Sequence, residues 1–253
     1  MPDATAGARP NAAAIDRFLG FWDGSLTPLQ AIEARHSVRS YTDEPLAAPV
    51  VDALRGAIAA VNEEAALDIQ LALDEPRAFS GLKSRLVSFS GVRNYLVLVG
   101  CEQKDLDTEL GYYGEKLVLL AQSLGLNSCW VGGTYKVVTH AYSVDLGQKL
   151  SAVVALGHGA TQGTPHASKA PQQVAPGYDE APMWFRRGVD AALLAPTALN
   201  RQRFRFELAG EEGGVPLVRA TAKHGAFTKM DLGIAQCHFE IGAADAPFLW
   251  ATR

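Results

Sequence analysis

"RHSVRSY", residues 35–41, sets two arginines around a serine, with a valine between Ser37 and Arg39. In an extended chain alternate side chains share a face, so Arg35, Ser37 and Arg39 point one way and His36 and Val38 the other. Two forked cations and a hydroxyl on one face suit a phosphate or a carboxylate. The plainer reading is an arginine-rich helix end that caps its own carbonyls. Upstream, Thr27-Pro28-Leu29-Gln30 reads as an N-cap, a proline at the first helical position and a capping box. A helix therefore runs into Arg35, and the quoted stretch leaves it extended.

Downstream, a second helix is expected from Pro49, with Val50, Leu54, Ala57, Ile58 and Val61 at helical spacing. "LDIQLAL" (67–73) alternates as a half-buried strand, and "YLVLVG" (95–100) is a continuous apolar run suited to a central strand. A long helix over about 108–124 ends at Gly125, "NSCWVGG" follows, and a further helix is expected over 136–149 before a strand at 150–157. Residues 159–182 are rich in Gly and Pro and read as an irregular linker.

Beyond the linker the order of elements recurs: a helix over 183–195, strands "RFRFEL" (203–208) and "VPLVRATA" (215–222), a helix over 231–244 and a last strand "FLWATR". "DALRGAIAAVN" (52–62) aligns with "DAALLAPTALN" (190–200), "ELGYYGEKLVLLA" (109–121) with "DLGIAQCHFEIGA" (231–243), and Trp130 with Trp250. Each match is weak alone; their common order suggests a duplicated half whose second copy has lost its leading arginine segment. The domains expected are an Ala-rich, loosely packed lead-in at 1–24, a first half at 25–158, the linker at 159–182 and a second half at 183–253.

Composition narrows the function. At 48% hydrophobic and 20% charged residues over 253 positions the chain is globular. A net charge of −4 offers no basic stripe for nucleic acid. No apolar run approaches the ~20 residues that cross a bilayer, and "MPDATAGARPNAAAID" shows no charged and then apolar region, so export is not expected. Cys101, Cys129 and Cys237 stand far apart, as thiols of a reducing cytoplasm do, so a disulfide framework and a metal site are not expected.

Two further stretches carry chemistry or plain turns. "APTALNRQRF" (195–204) breaks a helix at Pro196 and gathers Thr197, Asn200 and Gln202; read alone it is a helix stop and a turn. "WVGG" (130–133) lets a flat ligand approach backbone at Gly132 and Gly133, or simply ends a strand. "GHGATQG" (157–163) lacks G-x-G-x-x-G spacing and has no helix after it, so it is no nucleotide loop. There is no HExxH, no G-x-S-x-G elbow and no cysteine with a motif-paired histidine; His238 reads as a satisfied core histidine.

Together Arg35-His36-Ser37-Val38-Arg39, Pro196-Thr197-Ala198-Leu199-Asn200-Arg201-Gln202 and Gly125-Leu126-Asn127-Ser128-Cys129-Trp130-Val131-Gly132-Gly133 resemble the nitroreductase family of FMN-dependent oxidoreductases. The resemblance covers most of 25–250. It departs from the usual pattern in one respect: the arginine segment and "WVGG" lie in the first half and "PTALN" in the second. The chain thus looks like the subfamily in which two nitroreductase-like halves imitate the usual dimer around one composite site.

The resemblance implies an α+β fold of three layers, a mainly antiparallel sheet flanked by helices, internally duplicated. It implies FMN held at its phosphate by Arg35 and Ser37, with Lys169 closing on it, and Arg39 reaching toward the pyrimidine end. His36, Trp130 and Val131 belong to the same lining, Gly132 and Gly133 present a backbone N–H to flavin N5, and Pro196, Thr197 and Asn200 meet the flavin from the second half. Arg203 and Phe204 replace the family's Pro-Trp. The expected activity is hydride transfer from NAD(P)H, a transient co-substrate, through flavin to a small organic acceptor such as a nitroarene or quinone. No protein nucleophile or metal takes part, since the cofactor carries the chemistry. A flavin-binding module that stores, senses or consumes FMN is the alternative. A cytoplasmic monomer (a pseudo-dimer) or weak homodimer is expected.

Overall fold

A computed structural model describes residues 22, 25–82, 84, 87–244 and 246–251. The expected lead-in at 1–24 therefore lies outside the described residues except for Trp22. Helix α1 (Pro28–Ala34) has the capping box read from its sequence: Gln30 N–H donates to Thr27 Oγ1 and Thr27 N–H to Gln30 Oε1. Helix α2 (Ala48–Ala65) buries Leu54, Ala57, Ile58 and Val61, the stripe its spacing marks.

Four strands follow the order β1 (Gln70–Ala72), β2 (Asn94–Cys101), β4 (Gln148–Gly157), β3 (Asn127–Val131) across one sheet, every neighbouring pair antiparallel. Alternation explains the unbroken apolar runs. Leu96 and Leu98 of β2 and Ala152, Val154 and Leu156 of β4 join the main core. Tyr95, Val97 and Val99, with Val153 and Ala155, enter a second core on the opposite face with Phe79, Phe89 and Tyr142.

Helix α3 (Leu106–Ser123) packs on this sheet. After the short α4 (Pro171–Val174) come α5 (Met183–Ala192) and a second sheet of order β5 (Phe204–Glu212), β6 (Val215–Ala222), β7 (Leu249–Trp250). There β5 and β6 are antiparallel, and β6 and β7 parallel. Helix α6 (Thr228–Ala243) packs on β5 and β6 and, on its other side, on α3. The α+β class and the antiparallel pairing hold. The strands divide between two sheets rather than sharing one, and α3 and α6 form the layers between them.

The helix crossing is unusually close. A Cβ built on Gly111 would collide with the Met230 carbonyl, and one on Gly233 with the Thr108 carbonyl. The backbones of α3 and α6 touch because both positions lack a side chain.

Three expectations change. Residues 136–147 are turns, bends and irregular chain, and 148–149 already belong to β4, so no helix forms there. Lys136 N–H goes to Ala78 O, Val138 N–H to the Tyr142 hydroxyl and Ser143 N–H to Gln70 Oε1, so other groups take the backbone bonds a helix would use. The strand expected at 67–73 shortens to β1 because Asn62 holds both backbone groups of Ile69, at 2.8 and 2.9 Å. The linker at 159–182 contains α4, begun by Pro171 and by Ala170 N–H donating to Gln173 Oε1.

Candidate functional site

Arg35 leaves α1 with extended backbone, and Ser37 pairs in parallel with Ser128 at the edge of β3; Val38 N–H donates to Ser128 O at 3.0 Å. The alternation is as read, but the arginine does not face open water. Arg35 is 2% exposed, with Nε 3.8 Å from Glu115 Oε1. Neither Nε nor Nη1 has a hydrogen-bond partner. Burial lowers its pKa, and the Glu115 charge opposes that. Glu115, on α3, is fully buried and also takes the Trp130 indole N–H at 2.7 Å. The same carboxylate faces His238 Nε2 at 2.9 Å, while His238 Nδ1 faces Ala191 O at 3.1 Å. Two sequence-expected residues, Arg35 and Trp130, thus meet through a glutamate that sequence reading missed. Sequence pattern holds no signal for it: Glu115 stands on the face of α3 opposite the apolar stripe, and it is buried because α3 is covered on all sides.

The neighbours of Arg35 are more open. Ser37 and His36 are half-buried and Arg39 is exposed. The Ser37 hydroxyl and the Arg39 charge lie against the Cys129 thiol, whose pKa burial nevertheless raises. His36 stands beside Arg35 and His166, and its pKa is lowered by burial, then by the Arg35 charge.

The second constellation is built on strained backbone. Leu199, Asn200 and Gln202 all have positive φ, at 54°, 52° and 44°. Side chains with Cβ atoms pay for that conformation, and they keep it only where neighbours enforce it. Here Thr197 Oγ1 accepts Gln202 N–H at 3.1 Å and Asp231 Oδ1 accepts Ala198 N–H at 2.9 Å. Burial pushes the Asp231 pKa up to about 6, the Ala198 N–H pulling the other way. Asn200 Nδ2 and Gln202 Nε2 both donate to Ala167 O, at 2.8 and 2.9 Å. Lys169 donates its N–H to Gln202 Oε1 at 2.9 Å and its ammonium to Gln202 O at 2.7 Å. Pro196 is buried beneath. From sequence Gln202 is gathered with Thr197 and Asn200 but given no role at the flavin, and Asp231 is only a helix start.

Segment 158–169 connects the two constellations. Its first part is bonded to the arginine segment, Thr42 N–H to His158 O at 2.8 Å and Ala160 N–H to Ser40 O at 2.9 Å. Its last part is bonded to Asn200 and Gln202, with His166 against both His36 and the Leu193 carbonyl. The "WVGG" stretch meets the second half separately: a Cβ on Gly132 would lie 2.5 Å from two ring carbons of Phe227, whereas at Gly133 nothing lies within 4 Å. Among the described residues no cluster of His, Cys, Asp and Glu could hold a metal, and no helix is long and apolar enough to cross a membrane.

The fold is that of a nitroreductase-type protein. A family model described as "Putative TM nitroreductase" matches residues 28–243, and the chain belongs to that family. A solved structure described as a putative nitroreductase from Thermotoga maritima is 22% identical, with a TM-score of 0.59 over 85% of this chain and 82% of its own. A second, described as a putative nitroreductase in complex with FMN from Desulfovibrio desulfuricans, is 21% identical, with a TM-score of 0.45 over 59% of this chain and 95% of its own. No curated protein matches the chain.

Proposed function

We propose that this chain is an FMN-dependent oxidoreductase of nitroreductase type, with one composite flavin site shared by its two halves. The observation that carries the reading is Arg35. A guanidinium buried to 2% exposure, with a carboxylate 3.8 Å away but no hydrogen bond at Nε or Nη1, is costly unless an anion or polar ligand completes it. FMN offers such a group, and the flanking residues fit it. Arg35 and Ser37, with Lys169 from the connecting segment, bind the phosphate; His36 and Arg39 line the same edge, Arg39 toward the pyrimidine end. Trp130 and Val131 place the Gly132–Gly133 backbone, whose N–H groups orient the ring near N5. Pro196, Thr197 and Asn200 close the ring from the second half.

FMN, when bound, supplies two-electron chemistry: NAD(P)H gives up a hydride, and a nitroarene or quinone takes the two electrons with protons from water. The protein's work is to bind, orient and exclude water. Burial holds Arg35 in place through Glu115, and the left-handed turn at 199–202 fixes Asn200 before any ligand arrives.

The pseudo-dimer finds support in matching parts. The order α2-β1-β2-α3-β3 recurs as α5-β5-β6-α6-β7, with the same relative strand directions. The Gly111–Met230 and Gly233–Thr108 contacts are reciprocal, as at a two-fold axis. Each half also sets a glutamate of its long helix to accept the indole N–H of the following strand, Glu115 from Trp130 and Glu240 from Trp250, although the two glutamates stand three residues apart in the alignment. Three free cysteines suit a reducing cytoplasm. The test is a visible spectrum of the purified protein, FMN released per chain, and NAD(P)H oxidation with a quinone. One FMN per chain and turnover are expected; a colourless protein that takes up no FMN refutes the reading, and two FMN per chain refute the composite site.

A further inference from the structure

The second half contributes an aromatic ring to the first half's glycine strip. Phe227 precedes α6 with φ at +62°, a left-handed conformation uncommon for a bulky residue. It is 43% exposed, and it is the one ring among the exposed large hydrophobic side chains of the described residues. Exposure and strain together are poor packing, and strained residues of this kind gather at ligand sites.

The ring is nonetheless held in place. Thr228 Oγ1 donates to Gly225 O at 2.9 Å and Arg203 Nη1 to His224 O at 3.3 Å, which fixes the turn before it. Asp231 N–H donates to the Phe227 carbonyl at 2.9 Å, while Asp231 Oδ1 accepts Ala198 N–H at 2.9 Å. One aspartate therefore ties the Phe227 turn to the 197–202 turn as a unit. That unit sets the ring against Gly132, where a Cβ would have to displace the ring, and leaves the backbone of Gly133 open beside it. A flat molecule lying on the Gly133 backbone would have the Phe227 ring as its neighbour.

We propose that Phe227 is the aromatic wall of the planar-ligand slot at Gly132–Gly133 and selects the electron acceptor by ring size. This rests on the function proposed above, and the test separates the two. Wild-type protein is first loaded with FMN, then Phe227→Ala, Phe227→Leu and Phe227→Trp are compared with it. For Phe227→Ala, kcat/KM for a three-ring quinone relative to a one-ring quinone should rise about tenfold, with Phe227→Leu between, since a pocket wall discriminates by roughly that factor per missing group. In Phe227→Trp, the fluorescence of bound FMN should fall severalfold, because an indole next to the flavin quenches it. An acceptor ratio unchanged in Phe227→Ala, or FMN emission unchanged in a flavin-loaded Phe227→Trp, overturns the assignment of Phe227 and leaves the flavin reading standing. Failure of the wild type to take up FMN overturns both. The contact itself is checked without flavin: Gly132→Ala should raise the unfolding equilibrium constant at least tenfold, and adding Phe227→Ala should restore most of it. Strictly additive effects would show that the ring does not wall this glycine.

Discussion

Replacing Glu115 with glutamine should destabilise the protein by about 3–5 kcal/mol, the cost of breaking a buried ion pair from one side. The structure supplies each part of that figure. Glu115 is fully buried, and polar partners surround its carboxyl group: Arg35 at 3.8 Å, Trp130 at 2.7 Å and His238 at 2.9 Å. Glutamine keeps one acceptor oxygen, which can satisfy one of the ring N–H groups. It leaves Arg35 as a desolvated cation with no counter-charge. Urea denaturation at neutral pH should show a midpoint lowered on the order of 1 M or more, given slopes of about 3 kcal/mol/M for a chain of this size. Converting Arg35 to methionine in the same background removes the orphaned charge. The double variant should therefore be more stable than the sum of the single changes by about 1–3 kcal/mol. A Glu115→Gln protein within ~0.5 kcal/mol of wild type, or additive effects in the cycle, would refute the claim that this carboxylate holds Arg35.

Arg35→Ala should weaken FMN binding about ten- to a hundredfold, the loss of one charge-assisted contact of roughly 1.5–3 kcal/mol; full flavin retention through gel filtration contradicts the phosphate role. Gly111→Ala and Gly233→Ala should each cost about 1–3 kcal/mol or more in thermal unfolding, because each new methyl meets a carbonyl of the opposite helix; tolerance of either means the helices can part. Asp231→Asn tests the pH dependence: the folded pKa of about 6 exceeds the ordinary 3.8, so the folded state binds the extra proton. Its stabilising contribution is complete below about pH 3.8 and lost as pH rises through about 6. Relative to Asp231→Asn, wild type should lose about 2 kcal/mol of stability between pH 4 and pH 7, and parallel denaturation profiles would count against it.

Periodicity made much of the fold legible. The α2 stripe, the β2 run and the α1 capping box reappear at their residues because local pattern and packing agree there. The failures lie where a distant group takes over. Residues 136–149 compose a plausible helix until Ala78 and Gln70, both distant in sequence, and the Tyr142 hydroxyl from within the segment take their backbone groups. The site divides in the same way. Arg35, Trp130 and Asn200 stood out by type and spacing, whereas Glu115 and Asp231 look like ordinary helix carboxylates until the fold buries them. Asn62 and Asn200 occupy aligned positions, yet Asn62 pins Ile69 and Asn200 reaches Ala167 O. The alignment alone could not say which had been kept for a ligand.

That difference bears on why one chain would carry one site. In the first sheet β4 stands between β2 and β3, and the outer edge of β3 is free to pair with Ser37. The second sheet has no strand between β6 and β7, and β7 is only Leu249–Trp250. On the proposed reading, the first half keeps the edge that seats an arginine segment and the second keeps only the turn that reaches across. Asn62, freed from a reaching role, holds the end of β1, while the left-handed turn at 199–202 retains its strain. Strain persists where neighbours enforce it, and in this chain Thr197, Asp231 and the 166–169 segment enforce it on one copy alone. The asymmetry is then a division of labour between the halves: one holds the anion in its core, and the other holds a rigid polar turn and an aromatic ring against the first half's glycines.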